Sequence, residues 1–137
     1  MRKVLIFGLF FALGGILMAA DMRIKLTNNN KTIIFLLNES PQSRAFYSQL
    51  PIKVSLQNYS TNEKIFSLEK RLPLENGIER GGKSGEIAYF SPWGNVAIYY
   101  GDFSQYRGLF VMGKAVEGGS LIADLEGEAL IEQINAY

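Results

Sequence analysis

The sequence predicts a mainly β fold, a small closed antiparallel barrel with one or two short helices, and three observations carry that prediction. Apolar and polar residues alternate at period two in short stretches, as in Met22, Ile24 and Leu26 or Ile52, Val54 and Leu56. Clusters of Gly, Pro and Asn break the chain between those stretches. Strand and helix patterns do not alternate, so a parallel sheet is disfavoured and a barrel or sandwich remains.

The elements follow in order. Met22, Ile24 and Leu26 face one way and Arg23, Lys25 and Thr27 the other, which is a half-buried strand. Asn28-Asn29-Asn30 then tolerates the positive φ of a tight turn, so Thr32 to Leu37 returns as the second arm of a hairpin. Ser40-Pro41 supplies an N-cap and a first-turn proline for a helix whose Ala45, Phe46, Gln49 and Leu50 share a face, and Pro51 ends it. Further strands are expected at Ile52 to Gln57, Lys64 to Leu68, Glu86 to Phe90, Val96 to Tyr100, Leu109 to Val116 and Glu128 to Ile134. Gly118-Gly119-Ser120 before Leu121 to Leu125 predicts one helical turn between the last two. The expected core comprises Ile24, Leu26, Ile34, Leu36, Phe46, Val54, Leu56, Ile87, Ile98, Val111 and Ile131.

Composition bounds the function. The 137 residues are 47% apolar, with 14 basic against 13 acidic side chains, which fits one globular domain and gives no broad electrostatic footprint for nucleic acid. The chain has no Cys and no His, so disulfide scaffolds, thiol catalysis, serine-histidine triads, haem and ordinary zinc sites lose their side chains together. No cofactor or metal is expected.

Residues 1–20 read as a secretory signal peptide: Arg2-Lys3, an apolar stretch from Val4 to Ala20, and small Ala19-Ala20 before Asp21. The expected mature domain, 21–137, is then periplasmic or secreted and free of the membrane. An uncleaved anchor is the competing reading, because the stretch approaches the length that spans a bilayer, although Gly8, Gly14 and Gly15 weaken it. A lipoprotein anchor would need the missing Cys.

Four motifs bear on chemistry. Gly77-Ile78-Glu79-Arg80-Gly81-Gly82-Lys83-Ser84 matches a phosphate-binding loop letter for letter, but a Pro-broken charged stretch precedes it and a strand pattern follows, where that loop needs a strand and then a helix. Asp124, Glu126 and Glu128 lack the spacing of a calcium loop and read as a solvated turn. The glycosylation patterns at Asn30, Asn38 and Asn58 are near chance in an Asn-rich chain. Aromatic residues are more telling: Tyr89, Phe90, Trp93, Tyr99, Tyr100, Phe103, Tyr106 and Phe110 crowd one stretch, and strand alternation sends half to the core and half to a surface. Tyr89, Trp93, Asn95, Tyr99 and Arg107 are the expected contact residues of a shallow apolar groove for a peptide or small molecule.

The stretch Gly85-Glu86-Ile87-Ala88-Tyr89-Phe90-Ser91-Pro92-Trp93-Gly94-Asn95-Val96-Ala97-Ile98-Tyr99-Tyr100 resembles the central hairpin of bacterial cyclophilin-like domains. Met112-Gly113-Lys114-Ala115 is similar to that family's Gly-Arg strand, and Leu50-Pro51 before the third strand agrees, so the resemblance covers about residues 22–134. It implies a closed, mostly antiparallel barrel with a helix over one end. True cyclophilins isomerise prolyl bonds with an Arg near the proline nitrogen, a Phe and Met floor, and a Gln, Trp and His rim. This chain has no Phe-His-Arg string, and Arg23, Arg44, Arg71, Arg80 and Arg107 stand outside that motif, so no catalytic residue carries over. The expected function is a non-catalytic binding module; the alternative is a prolyl isomerase with non-standard residues, for which Arg107 is the one Arg near the aromatic stretch.

Overall fold

The computed structural model describes residues 21–134, so the expected leader lies outside the described residues. Strand β1 (Met22–Asn28) turns through Asn29 and Asn30 into β2 (Lys31–Leu37), with Asn28 paired to Lys31 and Asn29 at φ 57°. Helix α1 (Pro41–Ser48) follows, and then β3 (Ile52–Tyr59) and β4 (Glu63–Ser67). A long strap, residues 68–85, leads to the hairpin of β5 (Glu86–Phe90) and β6 (Asn95–Tyr99). Strand β7 (Leu109–Glu117), a 3-10 helix (Gly119–Asp124) and β8 (Gly127–Ile134) complete the chain. All neighbouring strands are antiparallel and close in the order β1-β2-β7-β5-β6-β4-β3-β8. The fold is the expected small barrel with two short helices.

Hairpin register corrects one expected face. Leu26 pairs with Ile33 and Ile24 with Phe35, and because Ile24 and Leu26 point inward their partners must as well. The interior of β2 is therefore Ile33, Phe35 and Leu37, not Ile34 and Leu36; Ile34 is buried outside the main core and Leu36 is half-buried. Val111 is also buried yet absent from that core, since its neighbours Phe110 and Met112 take the inward and bulged positions of β7. Its amide donates to the Ile78 carbonyl of the strap at 2.8 Å.

Helix α1 starts as expected, with the Ser40 side chain accepting from the Ser43 amide at 3.2 Å and Pro41 in the first turn. Its inner face differs: Gln42 and Ser43 are buried beside Phe46, while Ala45 and Gln49 are only partly covered. Both polar side chains bond the chain around them, although Gln42 Oε1 is buried without a hydrogen-bond partner among the described residues. Ser43 Oγ donates to the Met112 carbonyl at 2.9 Å, and Gln42 Nε2 donates to the Pro73 and Glu75 carbonyls at 2.8 and 3.1 Å. Gln42 thereby pins the strap to the helix.

The strap contains the phosphate-loop look-alike. No helix follows it, because residues 77–84 run into β5. The loop instead wraps a carboxylate of its own chain: Glu86 accepts from Arg80 at 2.6 and 3.1 Å and from the Lys83 amide at 2.9 Å. Those bonds hold the Glu86 carboxyl below its ordinary range, the Arg80 hydrogen bond first, against partial burial that pushes it up.

Candidate ligand-binding site

Alternation on the β5–β6 hairpin divides its side chains between two packed layers. Ile87, Tyr89, Val96 and Ile98 enter the barrel core, whereas Ala88, Ala97, Tyr99 and Leu109 form a second buried cluster on the outer face, extended by Ile65, Phe90 and Phe103. Above that outer cluster lies a groove of about 510 Å³. The β3–β4 turn gives it Tyr59, Ser60, Asn62 and Glu63; the hairpin gives Phe90, Trp93, Asn95 and Tyr99; the β6–β7 loop closes it with Asp102, Phe103 and Tyr106.

Aromatic contacts fix the walls. Tyr99 and Phe103 stack with centroids 3.7 Å apart at 12°, which pins the β6–β7 loop to the strand before it. Trp93 sits edge-on between Tyr59 at 5.2 Å and Phe90 at 5.3 Å, yet it remains 53% exposed. The ring is thus held in place while much of its surface stays open to the groove and solvent. Asn95 lies deeper, only 6% exposed, and its carboxamide makes no hydrogen bond within the protein among the described residues. Its amide donors and carbonyl acceptor are available to whatever enters.

Electrostatics inside the groove are one-signed. Glu63 and Asp102 line it, and no Lys or Arg does. Burial pushes the Glu63 carboxyl above its ordinary range, and burial followed by the Glu63 charge pushes the Tyr99 phenol up.

Three of the five expected contact residues, Trp93, Asn95 and Tyr99, come together here. Tyr89 does not: it is fully buried in the barrel, and its Oη accepts from the Leu72 amide of the strap at 3.2 Å. Arg107 is exposed on the β6–β7 loop and does not line the groove. Phe90 takes the place expected of Tyr89, and the signal for it was in the sequence, because Tyr89 shares a strand face with the core residue Ile87. Tyr59 and Glu63 carried no such signal; they arrive from a turn more than 25 residues away, brought by pairing of β4 with β6. Asp124, Glu126 and Glu128 lie on the opposite side of the closing order, where Asn28 Nδ2 donates to the Glu126 and Glu128 carbonyls.

A second opening of about 680 Å³ lies where β3 and β4 diverge. Their pairing is confined to Gln57–Tyr59 against Glu63–Ile65, and the gap beyond it is lined by mixed side chains such as Lys53, Gln57, Glu69 and Lys70. It has no exposed aromatic wall, which makes the smaller groove the better-formed recognition site.

The family model described as the Cyclophilin-like family matches residues 26–132. The chain belongs to the cyclophilin-like family. Among solved structures, this cyclophilin-like chain is similar to the hypothetical protein AF2241 from Archaeoglobus fulgidus, determined in solution. That pair has a TM-score of 0.62 and 21% identity, covering 84% of this chain and 96% of that one. It also aligns with the crystal structure of the Mimivirus cyclophilin at a TM-score of 0.48 and 12% identity, over 87% of this chain and 90% of that one. No curated protein sequence matches it.

Proposed function

We propose that this cyclophilin-like domain is an exported, non-catalytic binding module that takes a peptide or small molecule in the outer groove. One observation carries the reading: the Asn95 carboxamide lines the groove and makes no hydrogen bond within the protein among the described residues, beside a rigidly held, half-exposed Trp93. An amide that makes no bond within the protein and opens onto a groove offers its donors and acceptor to a ligand. Export rests on the N-terminal sequence, Arg2-Lys3, the apolar stretch and Ala19-Ala20. No helix among the described residues is long and apolar enough to cross a membrane.

The enzymatic alternative asks for a guanidinium fixed beside a twisted prolyl amide in an apolar cleft. Neither Arg nor Lys lines this groove, and Arg107, the nearest in sequence to its aromatic wall, lies outside it. Binding without isomerisation is the reading this arrangement favours. The test pairs a prolyl isomerisation assay with peptide titration followed by Trp93 fluorescence. No rate acceleration, together with a saturable Trp93 response weakened at least tenfold by Asn95→Ala, is the expected result. Acceleration lost in Arg107→Ala makes the protein an isomerase, and a Trp93 signal unmoved by a diverse peptide pool removes the binding reading. Mass spectrometry of the N-terminus tests export; a chain still starting at Met1 in the membrane fraction would make it an anchored protein.

A further inference from the structure

The groove joins two features that ask for the same partner. Its carboxylates, Glu63 and Asp102, have no ion-pair partner among the described residues, where the ion pairs are Arg23 with Asp21, Lys25 with Glu132 and Arg80 with Glu86. Of the cations near them in sequence, Arg107 is exposed outside the groove, and Lys64 and Arg71 are engaged elsewhere. Lys64, adjacent to Glu63, is 3% exposed, with its ammonium on Asn58 Oδ1 at 2.6 Å and over the Tyr100 ring. Arg71 donates to the Ser91 carbonyl at 2.9 Å. Beside the uncompensated carboxylates stand three exposed rings, Tyr59, Trp93 and Tyr106. The faces of such rings attract cations, and the pull strengthens where water is thinned out.

We propose that the groove recognises an arginine side chain presented by an extended peptide. This rests on reading the groove as a binding site and adds the class of its ligand. A guanidinium is planar and weakly hydrated, so it stacks on an aromatic face while its edge donates to a carboxylate, which a compact, strongly hydrated ammonium does less well. Half-burial of Glu63, with its carboxyl pushed up by loss of water, means that an arriving cation would meet a poorly solvated anion. The volume, about 510 Å³, exceeds one side chain and leaves room for flanking backbone, whose amide groups match the free carboxamide of Asn95.

Calorimetry and Trp93 fluorescence on the purified protein test this with two pentapeptides, acetyl-Ala-Ala-Arg-Ala-Ala-amide and the same peptide with citrulline, an uncharged isostere, in place of Arg. The arginine peptide is expected to bind at least tenfold tighter, with an affinity that falls as salt is added. Asp102→Asn, an exposed and conservative change, and Glu63→Gln should each narrow the gap between the peptides. Equal affinity for the two peptides overturns the arginine assignment and leaves the binding groove standing. Failure of both to bind overturns the assignment as well, and the groove reading falls with it only if a diverse peptide pool also leaves Trp93 unmoved.

Discussion

Phe35 and Leu36 are chain neighbours of similar apolar character, but the barrel treats them as different kinds of residue. Phe35 is fully buried in the core, while Leu36 is half-buried on the other face of β2. Phe35→Ala should therefore cost roughly 3 to 5 kcal/mol, through lost transfer energy and the cavity left behind. Leu36→Ala should cost less than half as much, and urea unfolding of the two variants side by side checks the register. Thr32 to Leu37 is apolar almost throughout, so alternation there carries no phase, and the face of the strand was legible only through its pairing with β1. Where polar residues mark the phase, single residues could be read correctly: Ile24, Leu26, Val54, Leu56, Ile87, Ile98 and Ile131 are all in the core. The same phase put Tyr99 and Asn95 on the outer face, and applied to Ile87 it would have selected Phe90 over Tyr89 for the groove.

At the scale of elements, the strap shows how tertiary contacts overrule a local motif. Its phosphate-loop letters enclose the Glu86 carboxylate, and a Cβ at Gly82 would meet Glu86 Oε1 and the Phe103 ring, so a larger residue there would push the carboxylate aside. No local pattern marks residues 68–85 as a structural strap, since its anchors, Gln42, Tyr89 and Val111, all lie outside it on a helix and two strands. Its carboxylate and that of Glu63 on β4 are displaced in opposite directions. Glu86 has a folded pKa below its unfolded value of about 4.5, so its contribution to stability is complete above that value and disappears as pH falls through the folded pKa. Glu63 has a folded pKa above the same reference, which favours the fold below about 4.5 and becomes a fixed penalty once pH has risen through the folded pKa. Thermal melts at neutral pH should thus show Glu86→Gln lowering the midpoint and Glu63→Gln raising it. Repeating them in acid, at about pH 3, should shrink both differences.

For the molecule as a whole, closure is the organising event. The first strand of the barrel pairs with its last, Leu26 opposite Ile131, and β8 continues that ladder to β3 through Ile131 and Ile52. The order and antiparallel character of the strands along the chain could be read from hydrophobic alternation, but the neighbours β4–β6 and β3–β8 could not, because nothing local encodes which edges meet. A chain ended before Gly127 would leave both β1 and β3 with open edges and remove Ile131 from the core. Such a truncation is expected to lose cooperative unfolding and the dispersed amide spectrum of the barrel, and proton-nitrogen NMR would read that directly. Closure also gives the Gly82–Phe103 bridge a meaning beyond strapping. Two backbone hydrogen bonds, of 3.0 and 2.9 Å, tie the segment around Glu86 to the residue that stacks on Tyr99 in the groove. The wall that Phe103 gives the groove is therefore backed by the loop that encloses Glu86, so a change that opens that loop also removes support from the stacked ring.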